Sequence, residues 1–196
     1  MTRLKRALAA ALAMSCCAGL ALAADVSPAL LKELAPTGRL RAAINYGNPV
    51  LAQKAEGAAP RGVSADLARE LARRLGVEIA YVEFDGAGLV VDALKEDRWD
   101  VAFLAIDPKR AEDIAFSPPY VLIEGAYLVR ANSPLQKVED VDRSGISVAA
   151  GRGSTYDLFL TRELKQAKIV RAPTSAEAID LFLKDKLDVC AGVRAD

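Results

Sequence analysis

Residues 62–76, GVSADLARELARRLG, decide how this chain is built. Leucine recurs at every fourth position from Leu67 to Leu75, which is the spacing of one face of an α-helix. Gly76 follows at once, in the place where a glycine commonly ends a helix. Ser64 is a candidate N-cap, because a serine oxygen can accept a hydrogen bond from a free N–H group of the first turn. The stretch therefore predicts a well-delimited helix.

Short apolar segments lie on both sides of this helix and predict β-strands. Residues 40–44 precede it, and residues 77–84 follow it with an alternation of apolar and polar side chains. A second helix is predicted over residues 89–96 and a third strand over residues 101–105. Strands that alternate with helices indicate an α/β fold with a mostly parallel sheet.

Two proline-containing pairs predict further helix starts. Ser27-Pro28 and Asp107-Pro108 each place a capping side chain directly before a proline at the first helical position. Residues 117–120, SPPY, then interrupt the pattern. The extended run at 121–129 is predicted to cross into a second α/β unit.

The second unit repeats the alternation of strands and helices. A glycine-containing turn separates its first strand from its first helix, and Thr174 or Ser175 is a candidate cap for its second helix. The predicted elements are strand 146–150, helix 155–165, strand 168–170, helix 176–185 and strand 187–191.

The N-terminus has the layout of a secretory signal peptide. A basic stretch at 2–6 precedes an apolar run at 7–20, and small residues at 21 and 23 predict cleavage after Ala23. The apolar run is shorter than the roughly 20 residues of a membrane-spanning helix. Cys16 and Cys17 leave a lipoprotein as the alternative. Either way the sequence predicts export, to the periplasm.

Composition excludes several classes of function. The chain has no histidine, so a Ser-His or Cys-His catalytic pair and a histidine metal site are excluded, and no cofactor is expected. Its 26 basic and 26 acidic residues give no net charge, and no clustered positive field suggests nucleic-acid binding. Once residues 1–23 are removed, Cys190 is the one cysteine left, and its apolar surroundings predict a buried structural residue.

The candidate binding residues follow strand ends. Ligands of open α/β sheets bind beyond the carboxyl ends of the strands, which here are followed by residues 45–49, 105–110 and 151–155. In the last of these loops, Ser154 and Thr155 lie in a glycine-containing turn at a helix N-terminus, which is a favourable anion site. The alternative is that Ser154 only caps the helix.

Arg110 is the natural second half of such a site. A guanidinium group can hold a carboxylate through two parallel hydrogen bonds. The alternative is a surface arginine that pairs with Asp107 or Glu112.

Four stretches, in order along the chain, carry a resemblance to a known family. They are GRLRA at 38–42, the helix at 62–76, PKRAEDIAFSPPY at 108–120 and GRGST at 151–155. The chain resembles the family 3 solute-binding proteins of ABC importers, which include the polar-amino-acid-binding proteins.

The resemblance implies a two-lobed periplasmic-binding-protein fold of type II-like architecture, which closes on its ligand by a hinge motion. The expected boundaries are lobe 1 at 24–125 and lobe 2 at 126–196. Family members return to the first lobe after the second. The C-terminal part of the fold is therefore expected to be missing here, with a loss of stability.

The resemblance also implies roles for individual residues. Arg110 would hold the ligand carboxylate from one lobe, and Ser154 and Thr155 would hold it from the other. Tyr46 and Asn48 could add stacking and a hydrogen bond from the first loop, unless Asn48-Pro49 is only a turn.

Several positions depart from the family pattern. Asp107 replaces a threonine, and its carboxylate could compete with an anionic ligand or meet a ligand cation. Ala105, which would also line the cleft, offers no side-chain donor. No aromatic ring occurs at 85–88, and Val193 stands where an acidic residue would hold an ammonium group, with Asp196 three residues later.

The expectation is a periplasmic binding component of an ABC importer, without catalytic activity. Its ligand would be a small carboxylate-bearing solute, an amino acid or a related organic acid, and its protein partner a membrane permease. A monomer is expected. Two alternatives stay open: an enzyme like the cyclohexadienyl and arogenate dehydratases, with Glu124 as the candidate acid, and a non-transport sensing protein or truncated paralogue.

Overall fold

The computed structural model describes residues 26–194. The predicted signal peptide at 1–23, the lipoprotein alternative at Cys16 and Cys17, and Asp196 lie outside these residues. Within the described range, no helix has both the length and the apolar character that a membrane crossing requires.

The first lobe is built on a three-stranded parallel sheet with the strand order β2-β1-β3. β1 lies in the middle, and its Leu40 and Ile44 side chains are fully buried beneath the helices. The elements are α1 Pro28–Leu34, β1 Arg39–Asn45, α2 Val63–Leu75, β2 Glu78–Phe84, α3 Ala87–Asp92 and β3 Val101–Ala102.

The second lobe is built on a four-stranded sheet with the order β4-β7-β5-β6. β5, β6 and β7 are parallel, whereas β4 enters from the first lobe and runs antiparallel to β7. Val148, Leu160 and Val189 form the centre of its core. The elements are β4 Gly125–Val129, β5 Ser147–Gly151, α4 Thr155–Glu163, β6 Lys168–Ala172, α5 Ser175–Lys184 and β7 Val189–Val193.

Most of the predicted caps are confirmed. Ser27 accepts a hydrogen bond from the Leu30 N–H at the start of α1, and Thr174 accepts one from the Glu177 N–H at the start of α5. Gly76 ends α2 in the left-handed conformation, with a φ of 70°.

Ser64 does not cap α2, so that prediction was wrong. Gly62 occupies the N-cap position with a φ of 106°, and a Cβ there would lie 2.5 Å from the Leu51 carbonyl oxygen. The chain therefore needs glycine at this crossing. Ser64 is buried inside the first turn, where its N–H donates to the same carbonyl.

The buried face of α2 consists mostly of small residues, and of the leucine row only Leu75 is buried. Ala65, Ala68 and Ala72 are buried against the sheet, whereas Leu67 is 39% exposed. Alanine lets the helix approach the sheet closely, which is a property that a leucine count does not reveal.

Between residues 89 and 112, three elements are less regular than the sequence predicted. The helix expected at 89–96 starts earlier, at Ala87, and ends as a 3-10 turn over Ala93–Glu96. The strand expected at 101–105 has only two paired residues, Val101 and Ala102. The helix expected after Asp107 is a single 3-10 turn, Arg110–Glu112, although the Asp107 carboxylate accepts from the Lys109 N–H as a helix cap would.

Cys190 lies in β7 and is buried, in agreement with its predicted structural role. Burial raises the pKa of its thiol, because an apolar environment disfavours the thiolate.

Candidate functional site

Arg110 lies where the two lobes meet. The short turn after β3 supplies it, and only 3% of the residue is exposed. Its Nη1 donates to the Ala105 carbonyl oxygen at 2.9 Å within its own lobe. The guanidinium also reaches α4 of the second lobe, where Nη1 donates to Thr155 Oγ1 at 3.2 Å and Nη2 to the Gly153 carbonyl oxygen at 2.9 Å. The alternative of a surface arginine is therefore wrong.

The Arg110 guanidinium has unused donor capacity. Its Nε is buried and has no acceptor among the described residues. Burial lowers the pKa of this side chain, against the raising effect of the Asp107 charge, yet arginine keeps its proton in proteins. A buried donor without an acceptor is costly, so an added anion at this position would be stabilising.

The N-terminus of α4 faces this arginine. Ser154 is the N-cap, and its Oγ accepts from the Asp157 N–H at 3.2 Å, so the predicted capping role is confirmed. The Asp157 carboxylate accepts from the Gly153 N–H at 2.9 Å. The first N–H groups of a helix have no partner within the helix, which leaves those of Thr155 and Tyr156 for another acceptor. The turn keeps part of its anion-binding capacity.

Asp107 is held by neighbours on both oxygens. Its Oδ1 accepts from the Lys109 N–H at 2.9 Å, and its Oδ2 pairs with Arg162 Nη1 of α4 at 2.8 Å. Burial opposes ionisation, but the hydrogen bonds from Arg162 and from the backbone outweigh it, so the pKa of Asp107 is lowered. A ligand cation would have to displace Arg162 to reach this carboxylate.

The lobes also touch through two glycines. A Cβ on Gly88 would lie 2.5 Å from the Arg152 carbonyl oxygen, and a Cβ on Gly153 would lie 2.7 Å from the Gly88 Cα. At residues 85–88, where the sequence lacks an aromatic ring, the backbone of the first lobe contacts the backbone of the second lobe. The contact requires both residues to lack a side chain.

The first-loop candidates make local contacts. Asn48 Oδ1 accepts from the Val50 N–H at 3.1 Å, which closes a turn. The Tyr46 ring lies under Lys54, whose Nζ is 5.2 Å from the ring centre. Burial, together with the nearby Glu83 carboxylate, raises the pKa of Tyr46 to about 12. A ligand role for Tyr46 and Asn48 stays a prediction.

A cavity of about 330 Å³ opens beside Arg110 between the lobes. Its walls include residues that the strand-end argument missed, because they lie on α3, on the turn after it and on the far side of the arginine turn. Besides Arg110 and Gly153, the polar and glycine residues of the walls are Gly88, Asp92, Lys95, Lys109, Asp113 and Arg152. Of these, Arg152 lies in the marked stretch GRGST, and Lys109 and Asp113 lie in the marked stretch PKRAEDIAFSPPY. Gly88, Asp92 and Lys95 lie in no stretch that the sequence had marked.

Two further points of chemistry concern acidic residues. Within residues 26–194, no group of three or more acidic or cysteine side chains could hold a metal ion. Glu124, the candidate acid of an enzyme, lies on the surface and pairs with Arg194 at 3.1 Å. Its side chain is 76% exposed, and it does not line the cavity beside Arg110.

Comparison with known proteins agrees with this architecture. The chain is 27% identical over 183 residues to a cyclohexadienyl dehydratase of Pseudomonas aeruginosa, a match that covers 90% of this chain and 68% of that protein. It is 27% identical over 195 residues to the L-cystine-binding protein TcyJ of Escherichia coli, which covers 93% of this chain and 72% of the relative.

A solved structure shows the same arrangement of lobes. The ancestral amino acid-binding protein AncCDT-1, a precursor of cyclohexadienyl dehydratase, superposes with a TM-score of 0.71 at 26% identity. The superposition covers 83% of this chain and 74% of that one. The two α/β units are therefore the two lobes of a periplasmic amino-acid-binding fold.

The sequence model of one family extends over most of the chain. It matches residues 40–188, which include the first sheet from Leu40 onward, the arginine turn, the α4 N-terminus and every strand of the second sheet except β7. The chain therefore belongs to the bacterial extracellular solute-binding proteins, family 3.

Proposed function

We propose that this protein binds a small carboxylate-bearing solute between its lobes and presents it to the membrane permease of an ABC importer. The solute is an amino acid or a related organic acid, and binding involves no catalysis. Export through the signal peptide at 1–23 would place the protein in the periplasm, as a monomer with lobes at 24–125 and 126–196.

One observation carries the proposal. Arg110 is a buried cation with an unused Nε, and it faces the N-terminus of an α-helix in the other lobe. A carboxylate could replace the Gly153 carbonyl and the Thr155 hydroxyl as acceptor, because an ionised acceptor makes the stronger hydrogen bond to a guanidinium. The cystine-binding relative is in keeping with a solute of this class.

The test is calorimetric titration of the exported chain with amino acids, keto acids and dicarboxylates, after a thermal-shift screen. A ligand that binds the folded state raises the unfolding temperature by mass action. Arg110→Gln should weaken carboxylate binding by about tenfold or more, since it removes a charge-assisted pair. Arg110→Lys should restore only part of the affinity, because lysine lacks the planar fork.

Arg39→Gln is the matched control. Arg39 is the first residue of β1, so it lies at the opposite end of the strand from the site loops, and its side chain is exposed. It should leave the affinity within about twofold. Circular dichroism of each variant separates a lost site from a lost fold. A folded Arg110→Gln variant that binds carboxylates as well as the unsubstituted chain would refute the proposal.

An enzyme of the same fold is the second candidate. Its support is the dehydratase relative, whose match covers 90% of this chain. Incubation with carboxylated cyclohexadienyl compounds, followed by ultraviolet absorbance of an aromatic product, tests it directly. Turnover that Glu124→Gln abolishes would favour the enzyme, whereas binding without turnover would favour the solute-binding role.

A further inference from the structure

Two cationic side chains without an ion pair among the described residues, Lys95 and Arg152, line the cavity beside Arg110. Neither makes an ion pair or a hydrogen bond within residues 26–194. Arg110 lines it as well, with its orphaned Nε. Cations from both lobes thus border one space. Lys95 and Arg152 are exposed, so water screens part of their mutual repulsion, and an anion that entered the cavity would reduce it further.

The other charged residues of the cavity do not cancel this positive charge. Lys109 also lines it and pairs with Glu112 outside the wall. Asp92 and Asp113 are the carboxylates in the lining, and both are exposed to solvent. With Lys109 neutralised by Glu112, three cationic side chains against two carboxylates still leave the lining positive. The volume of about 330 Å³ falls at the small end of the range for small-molecule sites, which suits a solute of a few carbon atoms.

We propose that this cavity is a second anion subsite and that the solute is a dicarboxylate. The first carboxylate binds Arg110, and the second binds Lys95 and Arg152. This inference rests on the proposed function, because it needs Arg110 to hold the first carboxylate. Lys95 belongs to the first lobe and Arg152 to the second, so the second carboxylate also ties the lobes together.

Affinity for matched acids is the direct test. Glutarate and butyrate are titrated calorimetrically into the full chain, because the two differ chiefly in the second carboxylate. Glutarate should bind about tenfold more tightly than butyrate. Lys95→Gln and Arg152→Gln should each remove most of that preference, while the affinity for butyrate stays within about twofold.

Lys168→Gln is the control for a lost positive charge. Lys168 is exposed at the start of β6 and does not line the cavity, so its replacement should leave the preference intact. Equal affinity for glutarate and butyrate, with butyrate binding still dependent on Arg110, would overturn the dicarboxylate inference alone. Binding of neither acid, by a chain that binds an amino acid through Arg110, would also overturn this inference alone. Carboxylate binding that is independent of Arg110 would overturn the proposed function and this inference together.

Discussion

Asp107 and Arg162 form an ion pair across the two lobes, with 2.8 Å between Oδ2 and Nη1. The carboxylate is almost fully buried, whereas the arginine side chain is 42% exposed. The pair joins the turn that carries Arg110 to the helix whose N-terminus faces it. The lobes are thus held by protein charges at the same place where a ligand would join them.

Removal of either partner should weaken the contact between the lobes. Asp107→Asn and Arg162→Gln are each expected to lower the free energy of unfolding by about 1–2 kcal/mol, because one side of the pair is solvated. Urea titrations of the two single variants and the double variant measure the coupling, which should be about 1 kcal/mol. Strictly additive effects would show that the pair contributes nothing to stability.

Acid should destabilise the fold by protonating carboxyl groups whose pKa is lowered in the folded state. Backbone N–H groups of Gln166, Ala167 and Lys165 lower the pKa of Asp142. A carboxyl group whose pKa is lower in the folded state stabilises above its unfolded pKa, near 3.9, and that contribution is lost as the pH falls through the folded value. Asp142→Asn should therefore flatten the loss of stability below about pH 4.

Thermal unfolding between pH 2 and 7 measures this dependence. Glu139→Gln is the control, because Glu139 is exposed and its carboxylate accepts no hydrogen bond in residues 26–194. If the stability of Asp142→Asn falls as steeply below about pH 4 as that of the unsubstituted chain, other groups dominate the acid dependence.

Gly88→Ala should keep the lobes apart without unfolding them. The new methyl group would lie 2.5 Å from the Arg152 carbonyl oxygen, so the contact could not form as it stands. Alanine also favours the helical conformation of α3 over glycine by about 0.5–1 kcal/mol, so the lobe itself should not be weakened. Small-angle scattering should give a larger radius of gyration.

Gly86→Ala is the matched control for this steric prediction. Its Cβ would meet the nearest atoms of the second lobe at 3.9 Å, which is ordinary contact. An unchanged radius of gyration for Gly88→Ala would mean that the backbone can yield there without separating the lobes.

Two substitutions of Ser154 separate its capping role from anion binding. Ser154→Ala should cost about 1 kcal/mol of stability, because the Asp157 N–H loses its acceptor. Ser154→Asp keeps an N-cap acceptor, so stability should stay within about 0.5 kcal/mol. It also places a negative charge at the anion site, which should weaken carboxylate binding by about tenfold.

Denaturant titration and calorimetry of both variants check the two effects. Carboxylate binding that is insensitive to Ser154→Asp would place the anion away from the α4 N-terminus.

The order of strands and helices was predictable because each helix and strand carries its own periodicity and its own caps. Ser27, Gly76 and Thr174 act on groups within a few residues, so their roles follow from local chemistry. Between residues 89 and 112, the rule of regular alternation failed. In this segment Arg110 and Asp107 make hydrogen bonds with the other lobe, which a local pattern does not reveal.

The candidate site was predictable in part. Arg110, Ser154 and Thr155 were found from charge, hydroxyl groups and a glycine turn, and the structure brings Arg110 to Thr155. Lys95 was missed, because nothing in its local sequence distinguishes it from any solvated lysine. Its importance depends on a cavity whose opposite wall comes from residues about 60 positions later.

The sequence by itself determined the fold class, the family and the types of the groups around Arg110, because these depend on short-range patterns and on residue types. Only the tertiary structure decided what each charge faces. Asp107 is committed to Arg162, Arg110 retains an unpaired Nε, and Gly88 meets Gly153 because two separately formed lobes come into contact. Pairing between distant residues depends on three-dimensional proximity, which no local pattern in the chain encodes.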